Sequence, residues 1–122
     1  MIDPIDFSKC VYWILDDNNE PISVDLETGQ QWRASEEKTR VDLTEFDGGV
    51  EVSTIFFPRL TLPHEQPPVC LFETHIIRRG RHEDFDMYRS WKAAEKGHQR
   101  AVDQMLAEGR IITWSYPGYK TT

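Results

Sequence analysis

The chain is short of basic residues and has no long apolar run. Its 14 Lys and Arg stand against 21 Asp and Glu, a formal net charge of −7. This balance argues against non-specific DNA or RNA binding through a basic surface. No stretch approaches the roughly 18 consecutive apolar residues of a membrane span, and Met1-Ile-Asp-Pro-Ile-Asp6 lacks the basic start and apolar stretch of a signal peptide. A cytoplasmic protein with no membrane partner is expected. Cysteine is scarce: Cys10 and Cys70 both lie in apolar runs, which suits reduced core thiols better than a disulfide framework. Also missing are the phosphate-cradling Gly loop ending in Gly-Lys-Ser/Thr, Gly-x-Ser-x-Gly, His-Glu-x-x-His and Cys-x-x-Cys. These absences weigh against an enzyme and suggest no cofactor.

What is present suits one small domain spanning residues 1–122, with 39% hydrophobic residues to build a core. Charge is unevenly spread. Residues 1–51 hold thirteen acids and four bases, a net of −9, which leaves +2 for residues 52–122. Such asymmetry can steer charged partners.

The pattern predicts an α+β fold: a twisted, mainly antiparallel sheet of about five or six strands with one long helix, about 91–108, packed on a face. Cys10–Leu15 reads as a strand that stops at the turn formers Asp16–Pro21. Ile22, Val24 and Leu26 alternate as a second strand ending at Thr28-Gly29, and 30–38 reads as a loop or single helical turn anchored by Trp32. Val41, Leu43 and Glu45 are expected on one face of a third strand. Asp47-Gly-Gly49 then turns the chain into a strong strand, Val50–Phe57. Four prolines make 58–68 a surface loop, before another strand at Val69–Ile77 and a polar stretch at Arg78–Asp84.

Ser90 can cap the helix and Gly109 can end it. Ala94, His98, Ala101, Val102 and Met105 would form its buried stripe, with His98 a hydrogen-bonded core histidine. Interior Gly97 implies a close approach by a strand or ligand backbone. In the tail, Ile111–Tyr119 could add an edge strand. Its Trp114, Tyr116 and Tyr119 are expected at a homodimer or higher-order interface.

Strand parity places Cys70, Phe72, Thr74 and Ile76 on one face and Leu71, Glu73, His75 and Ile77 on the other. Glu73 and His75 could contact a ligand, or serve as an acid/base pair. Glu73 could equally bond a neighbouring strand or Ser53 on a half-exposed face. Arg78, Arg79, Arg81 and His82 are the densest basic spot, suited to a phosphate, although Glu83, Asp84 and Asp86 could neutralise it. The candidate ligand-binding set is therefore Glu73, His75, Arg78, Arg79, Arg81 and His82. His64, His75, His82 and His98 show no ligand-pair spacing, so no metal site is expected.

From Val52 onward, three blocks carry a resemblance: Val52-Ser-Thr-Ile-Phe56, Pro67-Pro-Val-Cys-Leu-Phe-Glu-Thr74 and Tyr88-Arg-Ser-Trp-Lys-Ala-Ala-Glu-Lys-Gly-His98. They resemble a family of small uncharacterised proteins of phages, prophages and their bacterial hosts. The chain departs from that pattern at Phe57–His64, where the family has Leu-Gly-hydrophobic-Asp-His, and in its arginine cluster. The resemblance implies a phage context, hence the host cytosol, and an α+β fold, with no activity to carry over. From that context an accessory binding protein acting by occupancy is expected, and the arginine-rich loop with nearby aromatics suggests an anionic nucleotide signal of host defence as its ligand. The alternatives are a small enzyme acting on a nucleotide or phosphoester, and an inhibitor of a host protein whose acidic half mimics a polyanion.

Overall fold

In the computed structural model, residues 11–58, 60, 61 and 70–116 are described. Apolar residues at every second position build its central strands: β3 (Arg40–Phe46), β4 (Val50–Phe56) and β6 (Phe72–Arg78). Val50, Val52, Thr54 and Phe56 of β4 and Phe72, Thr74 and Ile76 of β6 are buried, while the residues between them are half-buried. With β7 (Arg81–Tyr88) and β8 (Ile112–Ser115) they form an antiparallel five-stranded sheet in the order β7-β6-β4-β3-β8.

Helix α3 (Trp91–Ala107) lies across the buried face. Ser90 caps it by accepting from the Ala93 amide, and Ala94, Gly97, His98, Ala101, Val102 and Met105 are its buried side. The α+β class and the long helix agree with the sequence pattern. The strands, however, divide into two sheets. A three-stranded sheet, β2-β1-β5, is made from β1 (Val11–Leu15), β2 (Pro21–Val24) and β5 (Leu60–Thr61), a short strand inside the expected 58–68 loop. Trp13 and Leu15 of β1 share one apolar cluster with Phe56, Phe72 and Ala94, so this small sheet packs on the helix side of the large one. The other half of α3, through Ala101, Val102 and Met105, closes a second cluster with Phe46, Val50, Val52 and Ile76.

Three local expectations are corrected. Two short helices, α1 (Leu26–Arg33) and α2 (Glu36–Thr39), replace the end of the second strand and the loop. Asp25 decides this, because its carboxylate accepts from the Thr28 amide at 2.8 Å and caps α1. On β3, a register shift between Arg40 and Asp42 puts Val41, Thr44 and Phe46 in the core and leaves Leu43 and Glu45 facing away. The polar stretch 78–84 is a hairpin, with Arg79 (φ 51°) and Gly80 (φ 81°) making its turn into edge strand β7.

Cys70 is a free, half-buried thiol, and Cys10 lies outside the described residues. The tail does supply edge strand β8, while Tyr119 falls outside the description.

Gly97 is explained by a side chain, since a methyl group there would overlap the ring end of Tyr88. Gly97→Ala gains about 1 kcal/mol of helix propensity. Overpacking costs about 1–3 kcal/mol and dominates. The variant should melt below the wild type in a thermal scan; a rise would mean that Tyr88 does not pack against α3 there.

Candidate functional site

The face of the large sheet away from α3 is the candidate site, and the strand register lays it out. Directly paired residues share a face. Glu45 pairs with Trp114 and with Glu51, which pairs with Ile77, which pairs with His82. One step along the strands, Leu43, Ser53, His75 and Asp84 form the next row. The third row holds Arg40, Ile55, Glu73 and Met87. Read diagonally, Trp114, Leu43 and Ile55 make an apolar stripe crossing β8, β3 and β4. Beside it runs a second diagonal, Glu45, Ser53 and Glu73.

Six residues of these two diagonals are half-buried, and no described helix or strand covers them. Arg40 donates from Nη1 to Ser53 Oγ at 2.8 Å, so Ser53 is engaged by arginine rather than by Glu73.

The sequence-derived pair Glu73 and His75 does meet here. His75 Nε2 lies 3.1 Å from Glu73 Oε1, and Nδ1 lies 3.2 Å from Asp84 Oδ1, with side-chain exposures of 19% for His75 and 28% for Glu73. Asp84 is 95% exposed, and Nδ1 makes no hydrogen bond of acceptable geometry. The Asp84 contact is therefore a solvent-screened proximity rather than a fixed bond. His82 stacks edge-on to His75 at 5.8 Å between ring centroids.

Two shallow depressions, of about 340 and 270 Å³, meet at Glu73 and Met87. The first is walled by Phe57, Cys70, Leu71 and Phe72, the second by His75, Asp84, Phe85 and Asp86. Chemically this is a carboxylate-bordered surface with an oriented imidazole. It attracts cations and donors and repels phosphates.

The arginines are elsewhere. Arg78 and Arg81 pair with each other at the hairpin end. By alternation from Ile76, Arg78 projects to the helix side. There its guanidinium lies 3.3 Å from Glu83 Oε2 and 3.3 Å from both oxygens of Glu108 at the end of α3. The Glu83 hydrogen bond, with Glu108 assisting, raises the Arg78 pKa further. Arg79 occupies the turn and donates its amide to Gly49. Of the six expected ligand contacts, Glu73, His75 and His82 come together on the open face; Arg78, Arg79 and Arg81 do not join them. No three His, Cys, Asp or Glu side chains among the described residues are placed to hold a metal ion, and no described helix is long and apolar enough to cross a membrane.

A second polar constellation is buried between sheet and helix. His98 Nε2 is 2.9 Å from Thr44 Oγ1, and Nδ1 is 2.7 Å from Thr54 Oγ1, which is 2.6 Å from Thr74 Oγ1. Burial, with Arg40 nearby as a lesser cause, pushes the His98 pKa down to about 4, so the ring is neutral near pH 7. Asp42 Oδ1 lies 3.7 Å from Nε2, and its own pKa is raised by burial, against a hydrogen bond from the Leu43 amide. The hydrogen-bonded core histidine is as expected. Its two threonine partners, Thr44 and Thr54, and Thr74 behind Thr54 come from strand parity on three separate strands, visible only once β3, β4 and β6 are aligned.

Comparison with protein-family models, with curated proteins and with solved structures finds no match to this chain.

Proposed function

We propose that this is an accessory protein of phage or prophage origin that acts by occupancy, docking a partner protein on the open face of its five-stranded sheet. The observation that carries the reading is the asymmetry of that sheet. One face is packed under α3 and the small sheet, whereas the other presents Trp114, Leu43 and Ile55 half-buried, with no described element over them. Apolar side chains set among polar groups on an uncovered sheet face are characteristic of protein contacts. The three sequence blocks between Val52 and His98 support the phage context.

An anionic nucleotide fits this face poorly. Arg78 is already bridged to Glu83 and Glu108, and the depressions on this face carry the carboxylates of Glu73 and Asp84. The Glu73–His75 contact favours the enzymatic alternative, and incubation with a nucleotide panel tests it: the ligands should be recovered unchanged.

Ile55→Lys tests the docking surface directly. The site is half-buried, so folding should change by no more than about 1 kcal/mol. Proteins that co-purify near stoichiometrically with the tagged wild type from the host should be lost. The same proteins retained by both would remove the open face as the contact.

A further inference from the structure

We infer that the partner presents a basic amphipathic helix to this face, its apolar residues seated on Trp114, Leu43 and Ile55 and its Lys or Arg side chains along Glu45 and Glu73. The inference rests on the open face being the docking surface, and adds the chemistry of what docks.

A helix is favoured over a strand by where the stripe lies. It crosses three strands within the face, where the sheet's backbone groups are already paired, so side chains must supply the contacts. The edges suit a strand partner less well. β8 has four residues, and β7 carries Glu83, Asp84 and Asp86 along its length. Size agrees as well. Two diagonal steps, each combining about 6.8 Å along a strand and about 4.8 Å between strands, span roughly 17 Å, which is about three helical turns.

Charge gives the sign. The diagonal beside the stripe offers Glu45 and Glu73, with Glu51 and Asp84 beyond it, on a chain of net charge −7. The one arginine of the third row, Arg40, reaches across the step between Leu43 and Ile55 to Ser53, so the flank of Glu45 and Glu73 also holds one guanidinium and stays net negative through Glu51 and Asp84 beyond it. The carboxylates of the paired rows all lie on that side of the stripe, so the helix's cations belong on that flank, which also fixes its rotation about its own axis.

The probe is a synthetic peptide of about 18 residues with leucines at helical spacing flanked by lysines, and a twin with glutamate at each lysine. Binding to the full chain is read by fluorescence anisotropy. The lysine peptide should bind, and the glutamate twin should be at least about tenfold weaker. Ile55→Lys and the double variant Glu45→Gln/Glu73→Gln should each weaken the lysine peptide about tenfold. Glu95→Gln/Asp103→Asn, which removes two exposed acids of α3 on the opposite side of the sheet, should leave it unchanged.

Equal binding of the twins, no binding of either, or equal losses in the two double variants would overturn the inference, the last by exposing diffuse attraction to an acidic protein. If the lysine peptide fails while Ile55→Lys still loses its co-purifying partner, the docking face stands and the basic helix falls. If Ile55→Lys loses nothing in either assay, both fall.

Discussion

Ala101→Asp should destabilise the protein by about 3–5 kcal/mol, the largest effect expected of any single change considered for this chain. Ala101 is 0% exposed and packs in the cluster of Phe46, Val52, Ile76 and Met105. A carboxylate there would be shut off from water and set against these apolar side chains. Urea unfolding measures the loss as a lower midpoint. The same substitution at Gln104, exposed three residues later, should cost less than about 1 kcal/mol. Similar midpoints for the two variants would mean that α3 faces the sheet with another side.

Acid should weaken the fold through His98. Its pKa is about 4 in the folded protein, against an ordinary 6.5. The unfolded chain therefore binds the proton more readily, and stability falls as pH drops from about 6.5 towards 4. The full span corresponds to about 3 kcal/mol. Asp42, whose pKa is raised, opposes this weakly in the lower part of the window, because the folded state holds its proton slightly better above pH 3.8. Urea titrations at pH 7 and pH 4.5 should show a steeper loss for the wild type than for His98→Asn, which carries no ionisable ring. Parallel losses would mean that His98 does not carry this linkage. At pH 7 the variant should be the less stable of the two, since it disturbs the hydrogen bonds of Thr44 and Thr54.

Some elements were legible because burial imposes a period. The two-residue alternation of Val50–Phe56 and the three- and four-residue spacing of Ala94–Met105 follow from one buried face each. β7 was illegible for the converse reason: on the sheet edge it is exposed over most of its length, so no alternation marks it. Leu26 continued the spacing of Ile22 and Val24, and only the capping contact of Asp25 shows that the strand had already ended. The same division holds for the site. Parity along one strand was enough to put Glu73 and His75 on one face. Asp84 joins them through a pairing register broken between Thr74 and His75, and the stripe of Trp114, Leu43 and Ile55 exists only through the strand order β4-β3-β8. Neither is encoded in local sequence.

The row of Thr44, Thr54 and Thr74 under His98 divides the apolar interface of α3 into two halves, one against Phe56 and Phe72 and the other against Phe46, Val52 and Ile76. With an unbroken oily groove, only the Tyr88 contact at Gly97 would oppose a slip of the helix by one turn. With the polar row in place, a slip of one turn brings Ala94 or Val102 over the hydroxyls and strands His98 among hydrocarbon. The histidine thus works as an index pin: with the Tyr88 contact at Gly97 it holds the helix at one position over the three central strands, whose outer surfaces carry Leu43, Ile55 and Glu73.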